Sequence, residues 1–411
     1  MAANKFSGHI PSRIGNLTKL NEPTFSRNQL SSPVPEEIGK LRSFIRLFLS
    51  ENMLTGPIPK PIGNLPHLNL LHLYNNSLSG PIPKEIGKPT SLEDLQFKDN
   101  NLISKIPFSI GNLGKLNSLY LFENNLTGQI PSSIGNLTNL IELLLYENYL
   151  EGTIPPELGK LKLLVDIFLF RNQLSGVLPD VLTNLTRLKM LELSQNRLTG
   201  HLPQSLCSGG SLTRLVIYEN DFVGAMPRSL KNCSSLQAID VQRNQLSGNI
   251  TEDFGDYQHV DHIDLSDNLF YGTLSWNWSA FLNLTKLKIS NNNLSGRIPT
   301  GLGEVSLLQQ LHLCSNRLHG KIPRSLGKLN LLLELKLDNN HLSGNIPSEI
   351  GQMSRLLNLS LSATNLSGPT PAHIRDSPQL LVLNLRQNEL NHSIPSQIRN
   401  LPSLATAHVR T

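Results

Sequence analysis

Three short stretches hold residue types that could do chemistry. Asp253-Phe254-Gly255 has the spelling of a protein-kinase DFG turn, and His373-Ile374-Arg375-Asp376 has the letters of a catalytic loop in the wrong order. His259, His262 and Asp264 bring two imidazoles and a carboxylate close in sequence, types that can ligate a metal. A kinase also needs a Gly-rich phosphate loop, a strand lysine and an H-R-D loop, and no G-x-S-x-G elbow or favoured Ser/His/Asp combination occurs. What these residues do therefore depends on the elements that carry them.

Asparagine reveals those elements. Asn4, Asn28, Asn52, Asn76, Asn100, Asn124, Asn148 and Asn172 stand 24 residues apart. Asn196, Asn220, Asn244, Asn268, Asn292, Asn316 and Asn340 continue without a slip, Thr364 takes the next slot, and Asn388 resumes the series. The best-formed unit is LTNLIELLLYENYLEGTIPPELGK, residues 137–160. Leu140, Leu143 and Leu145 precede the slot Asn148 and Leu150 follows it; then come Gly152, Ile154-Pro155 and Gly159.

Each slot has a physical reason. Leucines alternating with polar residues before the Asn read as a strand with one buried face. One strand per repeat, always in the same direction, gives a parallel sheet. The Asn amide, both donor and acceptor, can satisfy backbone groups of its own coil and the next as the chain turns inward. Gly permits the turn and Pro stops a helix from propagating on the outer side. A single coil cannot bury its leucines alone, so stacking creates the core. The expected architecture is one curved α/β-type solenoid over 1–411, of about 16–17 repeats, with its parallel sheet on the concave face.

Phase now disposes of the three stretches. Phe254 fills the Ile slot of the recurring IGNL, Gly255 its Gly slot, and Ile374 is again a repeat position. His262 and Asp264 project from one strand without a third donor, so no metal, cofactor or catalytic residue is expected. The only tryptophans, Trp276 and Trp278, fall on the convex side of a coil where Leu274-Ser275 replaces Ile-Pro. They are expected to pack that side, because aromatic rings bury large area.

Composition excludes other classes. With 38% hydrophobic and 16% charged residues the chain is ordered, and a net charge of +5 without a Lys/Arg-rich run gives no reason to expect nucleic acid. No apolar run reaches the roughly 18 residues that span a bilayer, and the first residues lack an apolar signal-peptide core.

The repeat matches L-x-x-L-x-L-x-x-N-x-L-[ST]-G-x-I-P-x-x-[IL]-G-x-L, the plant-type leucine-rich repeat, and the chain resembles the extracellular half of a plant leucine-rich-repeat receptor-like kinase. SGNITEDFGDYQHVDHIDLSDNLFYGTLSWNW (247–278) is similar to long-ectodomain receptors of secreted serine-rich signalling peptides. The resemblance implies a right-handed superhelix and a cell-surface receptor at the plasma membrane, with a secreted peptide ligand, a co-receptor leucine-rich-repeat kinase and roles such as plant defence. It also implies paired-cysteine caps, a membrane span and a kinase. Here the repeats run from Asn4 to LATAHVRT, so both ends read as uncapped and enzymatic activity is not expected. Two other readings stay open: a truncated decoy, and a secreted inhibitor of cell-wall-degrading enzymes.

A ligand is expected on the concave face, which takes the residues six, four and two before each slot Asn. From the strand before Asn52 to that before Asn220 these positions hold Phe48, Tyr74, Tyr120, Phe122, Tyr146, Phe168, Phe170 and Tyr218. Acids flank them, including Asp94, Glu123, Glu142, Glu147, Asp166 and Glu219, interrupted by Arg171 and Arg214. Such a stripe suits an extended peptide with apolar anchors and basic or hydroxyl groups. The later strands carry a polar patch instead: Asp240, His262, Asp264, Lys286, Lys288, His312, Glu334 and Lys336. Receptors of the resembled type use an Arg-x-Arg pair on one strand to hold a peptide carboxylate; Lys286 and Lys288 are its nearest equivalent here.

Among the sequons, Asn16, Asn136, Asn184 and Asn232 share one phase outside the strand and are expected to carry glycans in a secreted chain. Cys207 and Cys233 lie in neighbouring coils at nearly the same phase, within disulfide reach if coils stack about 5 Å apart. Cys314 is then the free thiol.

Overall fold

The computed structural model describes residues 2–391, 395, 396, 398 and 401–408. It consists of two compact units, Met1–Leu212 and Thr213–Thr411, each built from the same coil.

In the first unit the Leu-x-Leu segments form three-residue strands. Arg46–Phe48, Leu70–His72, Asp94–Gln96, Ser118–Tyr120, Glu142–Leu144, Asp166–Phe168 and Met190–Glu192 pair side by side in chain order. The pairing is parallel and in register with the repeat, Glu142 lying opposite Asp166 and Leu143 opposite Ile167. The central residue of each strand (Leu47, Leu71, Leu95, Leu119, Leu143, Ile167 and Leu191) is buried. Alternation then turns its two neighbours outward.

The slot asparagines do the bonding expected of them, toward the preceding coil rather than the following one. Asn124 Nδ2 donates to the carbonyls of Leu121 and Phe122 in its own coil and to that of Phe97 one coil back. Its Oδ1 accepts the Leu102 N–H, also one coil back, at 3.0 Å. The chain can therefore turn inward with its backbone groups paired.

After the Asn comes a feature the repeat did not announce, a second parallel ladder. Asn125–Gly128 pairs with Tyr149–Gly152 in a register of Thr127 opposite Tyr149. Gly128 closes its strand at φ +72°, in the left-handed region that glycine tolerates. Pro131 follows at φ −68° and leads a 3-10 turn, Ser132–Asn136. The glycine inside that turn serves close packing: a Cβ on Gly135 would stand 2.7 Å from the Glu157 carbonyl oxygen of the next coil.

The second unit repeats the plan with strands Arg214–Val216, Ala238–Asp240, His262–Asp264, Lys286–Lys288, Gln310–His312, Glu334–Lys336, Asn358–Ser360, Val382–Asn384 and Thr406–His408. Where Ile250-Thr251 stands for Ile-Pro, a short α-helix, Ile250–Asp253, replaces the 3-10 turn, and the Asn249 side chain caps it by accepting from the Thr251 N–H; where Leu274-Ser275 does, a 3-10 turn, Trp278–Ala280, remains. Trp276 and Trp278 are buried beside the helix. Trp276 lies 5.5 Å from Phe254 and 5.7 Å from Phe281, ring centre to ring centre. Both indole N–H groups donate to backbone carbonyls, of Ile250 and Leu274. Ile250 and Leu274 keep the buried Ile slot, aromatic rings pack beside them where Pro is missing, and Phe254 of the DFG spelling belongs to that core.

Candidate ligand-binding face

The first unit's strands present three rows of side chains. In the row two residues before the slot, Phe122, Tyr146 and Phe170 stack face to face, at 4.2 Å between the first two ring centres and 4.3 Å between the last two. One ring per coil matches the strand spacing of about 4.8 Å, so consecutive aromatics at this slot fall into a column. Tyr120 and Phe168, in the next row, lean against the column at 6.2 Å from Phe122 and 6.4 Å from Tyr146. Tyr120, Tyr146, Phe168 and Phe170 are half-buried, leaving part of each ring open. Phe122 is not an open ring as its slot led us to expect: it is buried at 8% exposure, with Tyr146 stacked on one face.

Lys98 explains the rest of that burial. Its Nζ lies 5.1 Å from the ring centre of Phe122, 4.8 Å from that of Tyr74 and 5.9 Å from that of Tyr120. The ammonium therefore continues the row between Tyr74 and Phe122 through cation–π attraction. His72 joins the other end of the stripe. It meets Phe48 edge-on at 4.9 Å, and its Nε2 lies 2.7 Å from Asp94 Oδ2. Lys98 and His72 escaped a reading that counted aromatic residues alone, although both occupy outward slots.

Carboxylates border the rings on both sides. Upstream, Glu142 accepts hydrogen bonds from the Tyr120 hydroxyl and from Ser118 Oγ. Asp166 Oδ1 is buried without a hydrogen-bond partner, and burial followed by the Glu142 charge pushes the Asp166 pKa up. Downstream, Glu123 is raised to about 7, first by a hydrogen bond with Asp99, then by burial and the charges of Asp99 and Glu147. Glu147 receives Arg171 Nη1 at 2.7 Å. Burial also raises the Tyr146 phenol, so this hydroxyl stays protonated and available to donate.

Tyr218 and Arg214 belong to the second unit, half-buried on and just after its first strand. That unit also holds the polar patch. His312 Nε2 lies 2.9 Å from Glu334, and burial with the neighbouring Lys336 charge lowers the His312 pKa to about 4. Lys288 Nζ stands 4.0 Å from Asp264, and Lys286 is exposed. His262 and Asp264 do have a third donor beside them, Asp240 on the preceding strand, whereas His259 lies exposed outside the strand.

Away from these faces, Asn16, Asn136, Asn184 and Asn232 are all exposed, each the last residue of a 3-10 turn. Cys207 and Cys233 are buried and disulfide-bonded, and Cys314 is a free cysteine. Among the described residues no helix is long and apolar enough to cross a membrane.

Comparison with known proteins agrees with this architecture. A model of the leucine-rich repeat region matches residues 56–170, and a leucine-rich repeat model matches 187–208, 283–305, 307–329 and 331–353. No match is found among curated protein sequences. Among solved structures, the chain is 33% identical to the plant peptide hormone receptor RGFR1 in complex with RGF2. That match covers 99% of this chain and 65% of the other, with a TM-score of 0.93. It is 32% identical to the Arabidopsis receptor kinase HAESA in complex with the peptide hormone IDA and the co-receptor SERK1, covering 98% and 68% of the two chains at 0.93. A TDR receptor is 32% identical over 98% of this chain and 74% of its own, at 0.87. The chain thus spans about two thirds of the first of these relatives.

Proposed function

The chain belongs to the family of leucine-rich-repeat ectodomains of plant receptor kinases, and we propose that it senses a secreted peptide on the sheet face of its first unit. The observation that carries this reading is the ring column of Phe122, Tyr146 and Phe170, with Phe168 beside it and carboxylates along both edges. An extended peptide lays alternate side chains on such a face. Its apolar residue rests on the open parts of Tyr146, Phe168 and Phe170. A basic or hydroxyl-bearing neighbour reaches Asp166, whose free oxygen lacks a donor, or Glu142. The solved complexes of RGFR1 and HAESA with peptide hormones support this ligand class. A co-receptor leucine-rich-repeat kinase, as in the HAESA complex, is the second proposed partner, acting at the outer side of the plasma membrane.

The reading is tested by calorimetric titration of the chain with synthetic extended peptides that contain or lack an apolar residue and a basic residue. Peptides with both are expected to bind, and Phe168→Ala and Tyr146→Ala to weaken them. If those two variants bind like wild type while Lys286→Ala and Lys288→Ala lose binding, the ligand lies on the polar patch and the assignment fails.

A further inference from the structure

The polar patch of the second unit contains a donor set of its own. Asp240 ends strand Ala238–Asp240, and His262 and Asp264 bracket the next strand; the pairing sets Asp240 opposite Asp264 and Ala238 opposite His262. Strand alternation puts His262 and Asp264 on one face, and the small Ala238 leaves the His262 ring free to lean toward Asp240. His262 Nε2 stands 3.8 Å from Asp240 Oδ2. One donor atom from each of the three residues lies within 4.8 Å of the others.

Asp264 is the unusual member. It is a carboxylate at 3% exposure. It accepts the Ser266 backbone N–H at 3.0 Å, but its nearest cation, Lys288 Nζ, stays 4.0 Å away. Asp240 adds a second negative charge beside it. Two carboxylates this close, one of them out of water, are costly without a cation held between them. An imidazole nitrogen among the donors selects a borderline transition ion over calcium or magnesium, which prefer all-oxygen shells. Zinc bonds of about 2.0–2.2 Å in a tetrahedron require donors roughly 3.3 Å apart. The His262–Asp240 gap needs little closing to meet that, and a fourth position remains open.

We infer that Asp240, His262 and Asp264 form a binding site for a divalent transition-metal ion, zinc foremost, on the sheet face of the second unit. Asp240 and Asp264 each supply one carboxylate oxygen and His262 supplies neutral Nε2. Lys288 is the competing cation, which a bound ion displaces from Asp264. The ion's open position faces the same side as the outward side chains and accepts water or a ligand carboxylate. This site is independent of the peptide reading, because it uses none of the aromatic residues.

The test is zinc titration of the untagged, chelator-treated full chain by calorimetry, with cobalt(II) absorption reporting four-coordinate geometry. Wild type is expected to bind one equivalent with a dissociation constant in the micromolar range or tighter. His262→Ala and Asp240→Asn should each weaken it at least tenfold. His312→Ala, which alters an imidazole paired with a single carboxylate, should leave it unchanged. Lys288→Ala is the discriminating variant: removing the competing cation should tighten zinc several-fold, whereas a plain ion-pair patch gains nothing. Circular dichroism confirms folding of each variant. Equal zinc uptake by wild type and His262→Ala, or weaker uptake by Lys288→Ala, overturns the site.

Discussion

Tyr146 is clasped between two rings, and that dictates how its substitution is read. Truncation to alanine removes stacking with both Phe122 and Phe170, each aromatic pair being worth about 0.5–1.5 kcal/mol. Tyr146→Ala should therefore lower stability by about 1–3 kcal/mol as well as peptide binding. Phe168 only leans on its neighbours, at 6.4 Å and 6.5 Å. Phe168→Ala is the cleaner probe: it should cost about 1–3 kcal/mol of peptide affinity with a smaller change in melting temperature, read by calorimetry beside thermal denaturation. Glu123 offers a pH test. Its folded pKa is about 7, against an ordinary 4.5, so folding retains a proton that the unfolded chain releases. Its contribution is full below pH 4.5, declines across the interval up to 7, and is lost above it. Glu123→Gln keeps the hydrogen bond to Asp99 without the titration. Its melting temperature relative to wild type should rise from pH 5 to pH 8, and a constant difference would show that Glu123 does not titrate there.

At the scale of the coil, the asparagine spacing announced most of the fold, because each slot has one physical job repeated without insertion. Leucine alternation gave the main strands, and the amide ladder followed from the donor and acceptor on one side chain. The second ladder was illegible: its few residues overlap the Leu-x-Gly turn, and no period-two pattern survives over so short a run. The column of rings was half legible. Slot arithmetic named its members, but not that stacking would bury Phe122 or draw Lys98 over three rings. The one slot that breaks the ladder supplies a prediction. Thr364 donates its hydroxyl to Asn388 Oδ1 of the next coil, with the Leu361 carbonyl 3.2 Å away. It lacks the amide that elsewhere also reaches back, as Asn340 does to the Leu313 carbonyl and the Leu318 N–H. Thr364→Asn should restore both links, toward Leu337 and Leu342, and stabilise the chain by about 0.5–1.5 kcal/mol. The converse, Asn124→Ala, strands buried carbonyls and an N–H and should cost about 3 kcal/mol. Denaturant titration of the two variants measures both signs.

Across the whole molecule, repetition sorts surfaces by phase, and phase separates what a ligand touches from what a glycan covers. The outward sheet slots lie two, four and six residues before the Asn, whereas Asn16, Asn136, Asn184 and Asn232 stand twelve after it and end exposed 3-10 turns. Each stands in an N-x-S/T sequon, so a chain passing through the secretory pathway should carry glycans at all four. Those of the first unit, Asn16, Asn136 and Asn184, should leave its ring column uncovered, because they stand outside the sheet strands. Mass spectrometry of protein secreted from plant cells is expected to find the four sites occupied. Enzymatic removal of the glycans should then lower solubility while peptide affinity stays within a factor of two. Four bare sites would deny the secretory route. A tenfold change in affinity on deglycosylation would move the peptide from the sheet face to the 3-10 turns, and overturn the assignment of Tyr146, Phe168 and Phe170.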